Sequence, residues 1–184
     1  WKAIDSLRRD GYTIDARKSQ GYCLTGSPDA LVEREIRRYL PEGFACPELR
    51  CLPEVDSTNS YLKREALAGA PHGTIAVTNC PTAGRGRMSR RFQSPPDCGV
   101  YLSILLRPKL PPAELMGATG MAAVAVCDAV EKVAGIRPGI KWTNDLILGE
   151  RKLGGILTEM ALEGETGQTE FLIIGAGVNV RQKP

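Results

Sequence analysis

The run Ile140-Lys-Trp-Thr-Asn-Asp-Leu-Ile-Leu-Gly-Glu-Arg-Lys-Leu-Gly-Gly-Ile-Leu-Thr-Glu-Met-Ala-Leu-Glu163 decides how this chain folds. Ile140 to Trp142, Leu146 to Leu148 and Gly155 to Glu163 read as strands. Asn and Asp at 144–145 and the polar tip Gly149-Glu-Arg supply turn chemistry between them, and no helix intervenes. Glu170 to Val180 adds another strand. Several short strands in succession argue for an α+β fold rather than a doubly wound parallel sheet.

Upstream, Ala113 to Val133 reads as a helix apolar on most sides and therefore as core. Val100 to Leu106 is an apolar run expected as a buried strand, Thr74 to Thr78 a further strand, and Arg50 to Val55 another. Asn59 to Ala68 reads as a helix preceded by Asp56-Ser-Thr, all good N-cap types. Between them lies a long loop, residues 80–99, dense in Gly, Pro, Arg and Ser. At the start of the chain, Trp1 to Arg9 reads as a helix with Trp1, Ile4 and Leu7 on one face, stopped by Gly11. Tyr12 to Ala16 and Gly21 to Thr25 read as a hairpin with the polar connector Arg17-Lys-Ser-Gln. Helix plus basic-tipped hairpin is the second half of a winged helix-turn-helix, or equally a helix–hairpin that caps a neighbouring domain. Ala30 to Leu40 reads as a short connecting helix after Pro28. The expected organisation is therefore 1–27, a linker over 28–47, and a larger domain over 48–184.

The chain has 184 residues, 42% hydrophobic and 24% charged, with 20 Gly and 13 Pro, which excludes disordered and collagen-like classes. Lys and Arg total 24 against 21 Asp and Glu, and a net charge of +3 is too small to prove a nucleic-acid partner. The six cysteines form no CxxC and His72 is the only histidine, so a Cys/His zinc site has little support. No leader opens the chain and no stretch of about 18 apolar residues is evident, so no membrane association is expected. The thiols are accordingly read as reduced and structural, and the protein as cytoplasmic.

Three clusters carry chemistry. Thr82-Ala-Gly-Arg-Gly-Arg-Met-Ser-Arg-Arg-Phe92 brings together Arg85, Arg87, Arg90 and Arg91, and Gly84 and Gly86 allow unusual backbone and close approach to a ligand. Arg presents a fork of donors that matches carboxylate and phosphate oxygens. A solvated basic loop is the plainer reading. The loop is not a Walker A motif, and Gly84-x-Gly86-x-x-Ser89 lacks the third glycine of a dinucleotide fingerprint. The second cluster is Lys141-Trp-Thr-Asn-Asp145 with Arg151-Lys-Leu-Gly-Gly155, where Lys152 stands beside closely approaching backbone; a merely polar hairpin tip is the alternative. The third is Val55-Asp-Ser-Thr-Asn59, either a simple cap or a helix N-terminus open to polar or anionic groups.

Taken in order, Asp56-Ser-Thr-Asn59, Gly84-Arg-Gly-Arg87, Lys141-Trp-Thr-Asn-Asp145, Arg151-Lys-Leu-Gly-Gly155 and Gly175-Ala-Gly-Val-Asn179 resemble the biotin–protein ligases, and the helix–hairpin resembles the winged helix of the bifunctional ligase/biotin operon repressors. The resemblance implies a partial winged helix followed by a class II synthetase-like mixed-sheet domain with flanking helices, incomplete at its C-terminal end. It implies that biotin and ATP, with Mg²⁺ on the phosphates, form biotinyl-5′-adenylate, which then acylates a lysine of the biotin carboxyl carrier domain of acetyl-CoA carboxylase. By the same resemblance Ser57, Thr58, Asn59, Thr82, Arg85, Gly86, Arg87 and Lys152 bind biotin, with Lys152, Arg87 and Arg85 catalytic. Asn144, Asp145, Asn179 and Phe92 face the adenylate. Lys2, Arg8, Arg9, Arg17 and Lys18 contact operator DNA phosphates, and a homodimer with a repressor role is implied.

The sequence departs from the family pattern at four places. Thr82 replaces a common Gln, Met88-Ser89 a common Arg-Gly, Phe92 a common Trp, and Thr143 a common Pro. A lipoate–protein ligase-like acyltransferase is the nearest alternative, although no cysteine nucleophile is recognisable and the Gly-Arg-Gly-Arg loop favours biotin. A biotin-sensing repressor without turnover is the other.

Overall fold

The structure, a computed structural model, describes residues 1–17, 20–44, 46–87 and 92–182. Lys18, Met88, Ser89, Arg90 and Arg91 lie outside the described residues. Chain contacts divide it into two units, Trp1–Glu42 and Gly43–Pro184.

In the first unit, helix α1 (Lys2–Arg9) precedes an antiparallel hairpin, β1 (Thr13–Arg17) with β2 (Gly21–Gly26), and then helix α2 (Glu33–Tyr39). Ile4 and Leu7 are half-buried as their spacing predicts, but Trp1 precedes the helix and is 85% exposed, so it is not part of that apolar face. Gly11, at φ +91°, ends α1 in the left-handed region where glycine carries no Cβ penalty. The helix read from the sequence as a connector belongs to this unit. The Tyr12 hydroxyl is buried and donates to Glu35 Oε1 at 2.7 Å, and Arg38 donates to Glu35 Oε2 at 3.0 Å.

The second unit is a mixed sheet with strand order β3-β4-β5-β9-β8-β7-β6 among the described residues. Its strands are β3 (Leu49–Cys51), β4 (Ile75–Thr78), β5 (Gly99–Leu106), β6 (Gly139–Lys141), β7 (Asp145–Leu148), β8 (Arg151–Leu162) and β9 (Thr169–Asn179). β3 and β4 run parallel; every other pairing is antiparallel. This is the α+β arrangement expected from the run of short strands: β6, β7 and β8 each pair with the next in sequence.

Alternation along β9 assigns the two faces. Phe171 and Ile173 pack with Leu62 and Ala66 of helix α3 (Thr58–Leu67) and with Leu105 of β5. Ile174 and Ala176 pack on the opposite side with Ala123 and Cys127 of helix α4 (Ala118–Ala134). Burial pushes the Cys127 thiol pKa up, which keeps it protonated and inert. All six cysteines stand as thiols.

The long helix is the main departure from expectation. A 3-10 turn over Pro112–Leu115 precedes α4, and the buried residues of α4 are only Ala118, Ala123 and Cys127. Met121 and Val133 are 71% and 87% exposed, so the apolar outer side of α4 faces outward and is not core. Pro112–Ala134 does reach the length and mean hydropathy of a membrane-crossing helix, contrary to the sequence expectation, yet Ala123 and Cys127 of that stretch pack on the sheet.

Leu62 is fully buried at the centre of the α3 face, so Leu62→Ala is expected to lower unfolding free energy by about 2–5 kcal/mol, read by chemical denaturation. In the first unit, the Tyr12 hydroxyl and then Arg38 hold the Glu35 carboxyl below its ordinary value of 4.5, against the opposing effect of burial. The contribution of this group to stability is therefore present above pH 4.5 and lost as pH falls through the lowered value. Carbon-detected titration of Glu35 is expected to show a midpoint below 4.5 that moves up in Tyr12→Phe.

Candidate active site

A cleft of about 320 Å³ opens on the α3 side of the second unit, within the range of small-molecule sites. Its floor is backbone. Gly155, Gly175 and Gly177 line it from adjacent strands β8 and β9. A Cβ on Gly175 would run into the Asn59 side chain, and one on Gly177 would come 3.2 Å from the Tyr101 ring. Gly154 faces the Gly177 carbonyl in the same way, so the two strands approach closely enough to leave a bare patch.

One end of the cleft is the start of α3. Ser57 occupies the N-cap position as the sequence predicts, but its side chain makes no capping bond. Asp56 is turned away onto Arg64 through two bonds of 2.8 and 3.0 Å, which hold its carboxyl below the usual range. Ser57 and Thr58 are both buried and both line the cleft, with Asn59 behind them. Asn59 Nδ2 donates to Leu157 O at 3.2 Å and Glu159 Oε2 at 2.8 Å.

The Gly84–Arg87 segment walls one side. Gly84 is glycine for packing: a Cβ there would lie 2.7 Å from Phe92 O and 2.8 Å from Ser94 Oγ. Gly84 has no positive φ, so the unusual dihedral expected there is not what it supplies. Arg85 donates to Ser60 Oγ at 3.3 Å and faces Glu159 Oε1 at 3.6 Å. Arg87 donates to Thr143 Oγ1 at 2.7 Å and to Asn144 Oδ1 at 3.3 Å, which ties the segment to the β6–β7 turn. The Trp142–Thr143 peptide bond in that turn is cis.

Opposite stands Lys152, the second residue of β8. Its Nζ is 2.7 Å from Asp145 Oδ1 and 5.6 Å from the centre of the Phe92 ring. Asn179 Nδ2 donates to the Lys152 carbonyl at 3.3 Å, so it holds the backbone of Lys152. Asn144 Nδ2 donates to Ile156 O. Among the described residues two buried side-chain polar atoms have no hydrogen-bond partner, Tyr101 Oη and Asn179 Oδ1. Such groups cost about 1–3 kcal/mol each until a ligand or water meets them. Tyr101 lines the cleft, and burial raises its pKa, so the phenol keeps its proton.

The structure thus brings Ser57, Thr58, Asn59, Arg85, Gly86, Arg87, Phe92, Asn144, Asp145 and Lys152 around one cleft. Asn179 stands behind Lys152. Thr82 does not join them: its N–H and hydroxyl both turn to Val55 O, at 2.8 and 3.4 Å. Lys2, Arg8, Arg9 and Arg17 are exposed in the first unit, with Arg8 donating to Ile14 O at 2.6 Å. The sequence reading missed Ser103, Glu159 and Tyr101. The signal for Ser103 was a hydroxyl inside the otherwise apolar run Val100–Leu106, where a buried polar group needs partners.

A mixed sheet with helices on both faces and a cleft over its glycine floor is the fold of biotin ligase catalytic domains, as comparison with solved structures makes plain. Biotin protein ligase from Leishmania major in complex with biotinyl-5-AMP matches with a TM-score of 0.61 and 27% identity, covering 76% of this chain and 60% of that one. The chain belongs to the biotin/lipoate A/B protein ligase family, whose model matches residues 51–179. It is 41% identical over 184 residues to the bifunctional ligase/repressor BirA of Bacillus subtilis, covering all of this chain and 56% of that protein. It is 32% identical over 160 residues to the biotin–[acetyl-CoA-carboxylase] ligase of Mycobacterium tuberculosis, covering 84% of this chain and 58% of that protein. The chain therefore spans about half the length of the curated relatives it matches.

Because Gly175 leaves the space that Asn59 occupies, Gly175→Ala is expected to displace Asn59 and cost about 1–3 kcal/mol of stability, measured by denaturant titration. An unchanged midpoint would contradict the packing described.

Proposed function

We propose that the protein activates biotin with ATP and passes the biotinyl group to a lysine of a carrier domain. The observation that carries this reading is Lys152 and Arg87, two cations held ready at one end of a cleft whose other end, at Ser57, Thr58 and Asn59, is buried and rich in hydrogen-bonding groups. The biotinyl-5-AMP bound to the Leishmania relative supports it.

In the first step an oxygen of the biotin carboxylate attacks the α-phosphorus of ATP. The bond from that phosphorus to the bridging oxygen breaks, and pyrophosphate leaves. Two anions about 4 Å apart repel by about 1 kcal/mol in water and about 4 kcal/mol at the effective dielectric of a protein surface. Lys152 and Arg87 neutralise that repulsion and stabilise charge on the phosphorane oxygens. Asp145 aims the ammonium at 2.7 Å while the Phe92 ring covers its other side. In the second step a carrier lysine amine attacks the acyl carbonyl, AMP departs with the bonding pair, and the ammonium proton goes to solvent. Arg85 and Arg87 span the cleft wall and keep the anhydride from water until then.

No group of three or more His, Cys, Asp or Glu is present among the described residues to hold a metal, so we assign Mg²⁺ to the nucleotide's own phosphates. Asn144, Asp145 and Asn179 are assigned to the nucleotide end. The carrier is a biotin carboxyl carrier domain of acetyl-CoA carboxylase, a reading supported by the name of the Mycobacterium relative. ATP and carrier both reside in the cytoplasm, the compartment we assign. The name of the Bacillus relative supports a repressor role. In that role residues 1–27 form the C-terminal part of a winged helix, Lys2, Arg8, Arg9, Arg17 and Lys18 meet operator phosphates, and the repressing form is a homodimer.

Lys152→Ala is expected to slow adenylate formation by about two to three powers of ten, read by biotin-dependent pyrophosphate exchange. An unaltered rate would remove its role. Arg87→Ala is expected to release biotinyl-5′-adenylate faster while leaving the denaturation midpoint in place. A dead exchange reaction with tight biotin binding in the unaltered chain would instead support a sensor without turnover.

A further inference from the structure

Behind the Ser57–Asn59 end of the cleft the hydrogen bonds can be assigned by counting protons. Asn59 Nδ2 faces two acceptors, Leu157 O at 3.2 Å and Glu159 Oε2 at 2.8 Å. That fixes the amide: its nitrogen points to β8 and its oxygen to Ser103. Ser103 Oγ lies 2.6 Å from Asn59 Oδ1 and 2.7 Å from Thr58 Oγ1. A hydroxyl has one proton, and an amide oxygen can only accept. Ser103 therefore donates to Asn59, and Thr58 donates to Ser103. Thr58 is left with only lone pairs for the cleft that it lines. Ser103 and Asn59 are 0% and 3% exposed, so bulk water does not rearrange the series.

The position of this end matters. Leu157 is five residues beyond Lys152 on β8, about 16 Å along the strand. A ligand whose carboxylate sits at Lys152 therefore brings its far, uncharged head toward Thr58. The family takes in both biotin and lipoate ligases, and the heads of these two acids differ in just this respect. A cyclic urea offers N–H donors; a dithiolane offers none.

Resting on the biotin reading above, we infer that Ser103, held by Asn59 and Glu159, is a positioning residue that fixes Thr58 as a hydrogen-bond acceptor and so selects acids whose head group donates an N–H. Ser103 touches no substrate atom; it acts through the direction of one hydroxyl proton. A ligand presenting an oxygen where the N–H belongs meets lone pair against lone pair in a buried place, which costs more than a missing bond in water.

The test is calorimetric binding of biotin and of the two cyclic carbamates in which one ureido N–H or the other is replaced by oxygen. With the unaltered chain, the weaker carbamate is expected to bind about 10–100-fold less tightly than biotin. In Ser103→Ala the Thr58 proton is free to turn into the cleft, and the ratio is expected to shrink to within about 3-fold. Thr58→Val provides the same collapse by another route: biotin weakens and the carbamate does not. Glu159→Gln keeps an oxygen for Asn59 and is expected to keep the original ratio. A merely structural role for Ser103 would weaken both ligands alike, and an unchanged ratio in Ser103→Ala overturns the inference. Equal binding of biotin and both carbamates by the unaltered chain also overturns it while leaving the biotin reading intact. No biotin binding at all overturns that reading, and this inference with it.

Discussion

The close approach of β8 and β9 through their glycines is the constraint from which the site follows. A seven-stranded sheet normally carries side chains on both faces, but here a Cβ at Gly175 would run into Asn59 and one at Gly177 would press on the Tyr101 ring. Gly175 does more than stay small. It admits the Asn59 side chain to the sheet, and Asn59 in turn ties the first turn of α3 to β8. The helix that packs through Leu62 and Ala66 thereby presents Ser57 and Thr58 to the cleft at a set height above the floor. Packing and polar contacts enforce one geometry, which is what a preorganised site requires.

Each cation of the site is held by a protein acceptor that a ligand anion can replace or join. Lys152 has Asp145, Arg85 has Glu159, and Arg87 has Thr143 and Asn144. The Lys152 and Arg85 side chains are 48% and 50% exposed and Arg87 is exposed, so solvent screens their contacts and each contributes little to stability. Their value lies in position. Arg87 in particular joins the Gly84–Arg87 segment to the β6–β7 turn, two parts of the chain separated by more than fifty residues. The Ser57–Asn59 end works differently, through hydrogen bonds between buried side chains.

Much of this was legible in the sequence. Strand-sized apolar runs separated by Asn, Asp and Gly gave the α+β class and the β6–β9 order, since local turn chemistry dictates antiparallel neighbours. Five short motifs in order gave the family. What stayed hidden depends on contacts between distant residues. Trp1 had the spacing of an apolar face but lies outside α1. The helix over Ala118–Ala134 has core composition on both sides, and composition cannot say which side the sheet covers. Thr82 sits inside a binding motif but spends both its donors on Val55. Ser103 and Glu159 acquire meaning only through Asn59, forty-four and a hundred residues away.

The most direct measurement of the whole account is a crystal structure of the chain with biotinyl-5′-adenylate. The account predicts the bicyclic head against Ser57 and Thr58, the acyl phosphate between Arg87 and Lys152, and the ligand lying across Gly155, Gly175 and Gly177. A ligand bound head to tail in that cleft, or bound elsewhere with the cleft closed by protein, would contradict it.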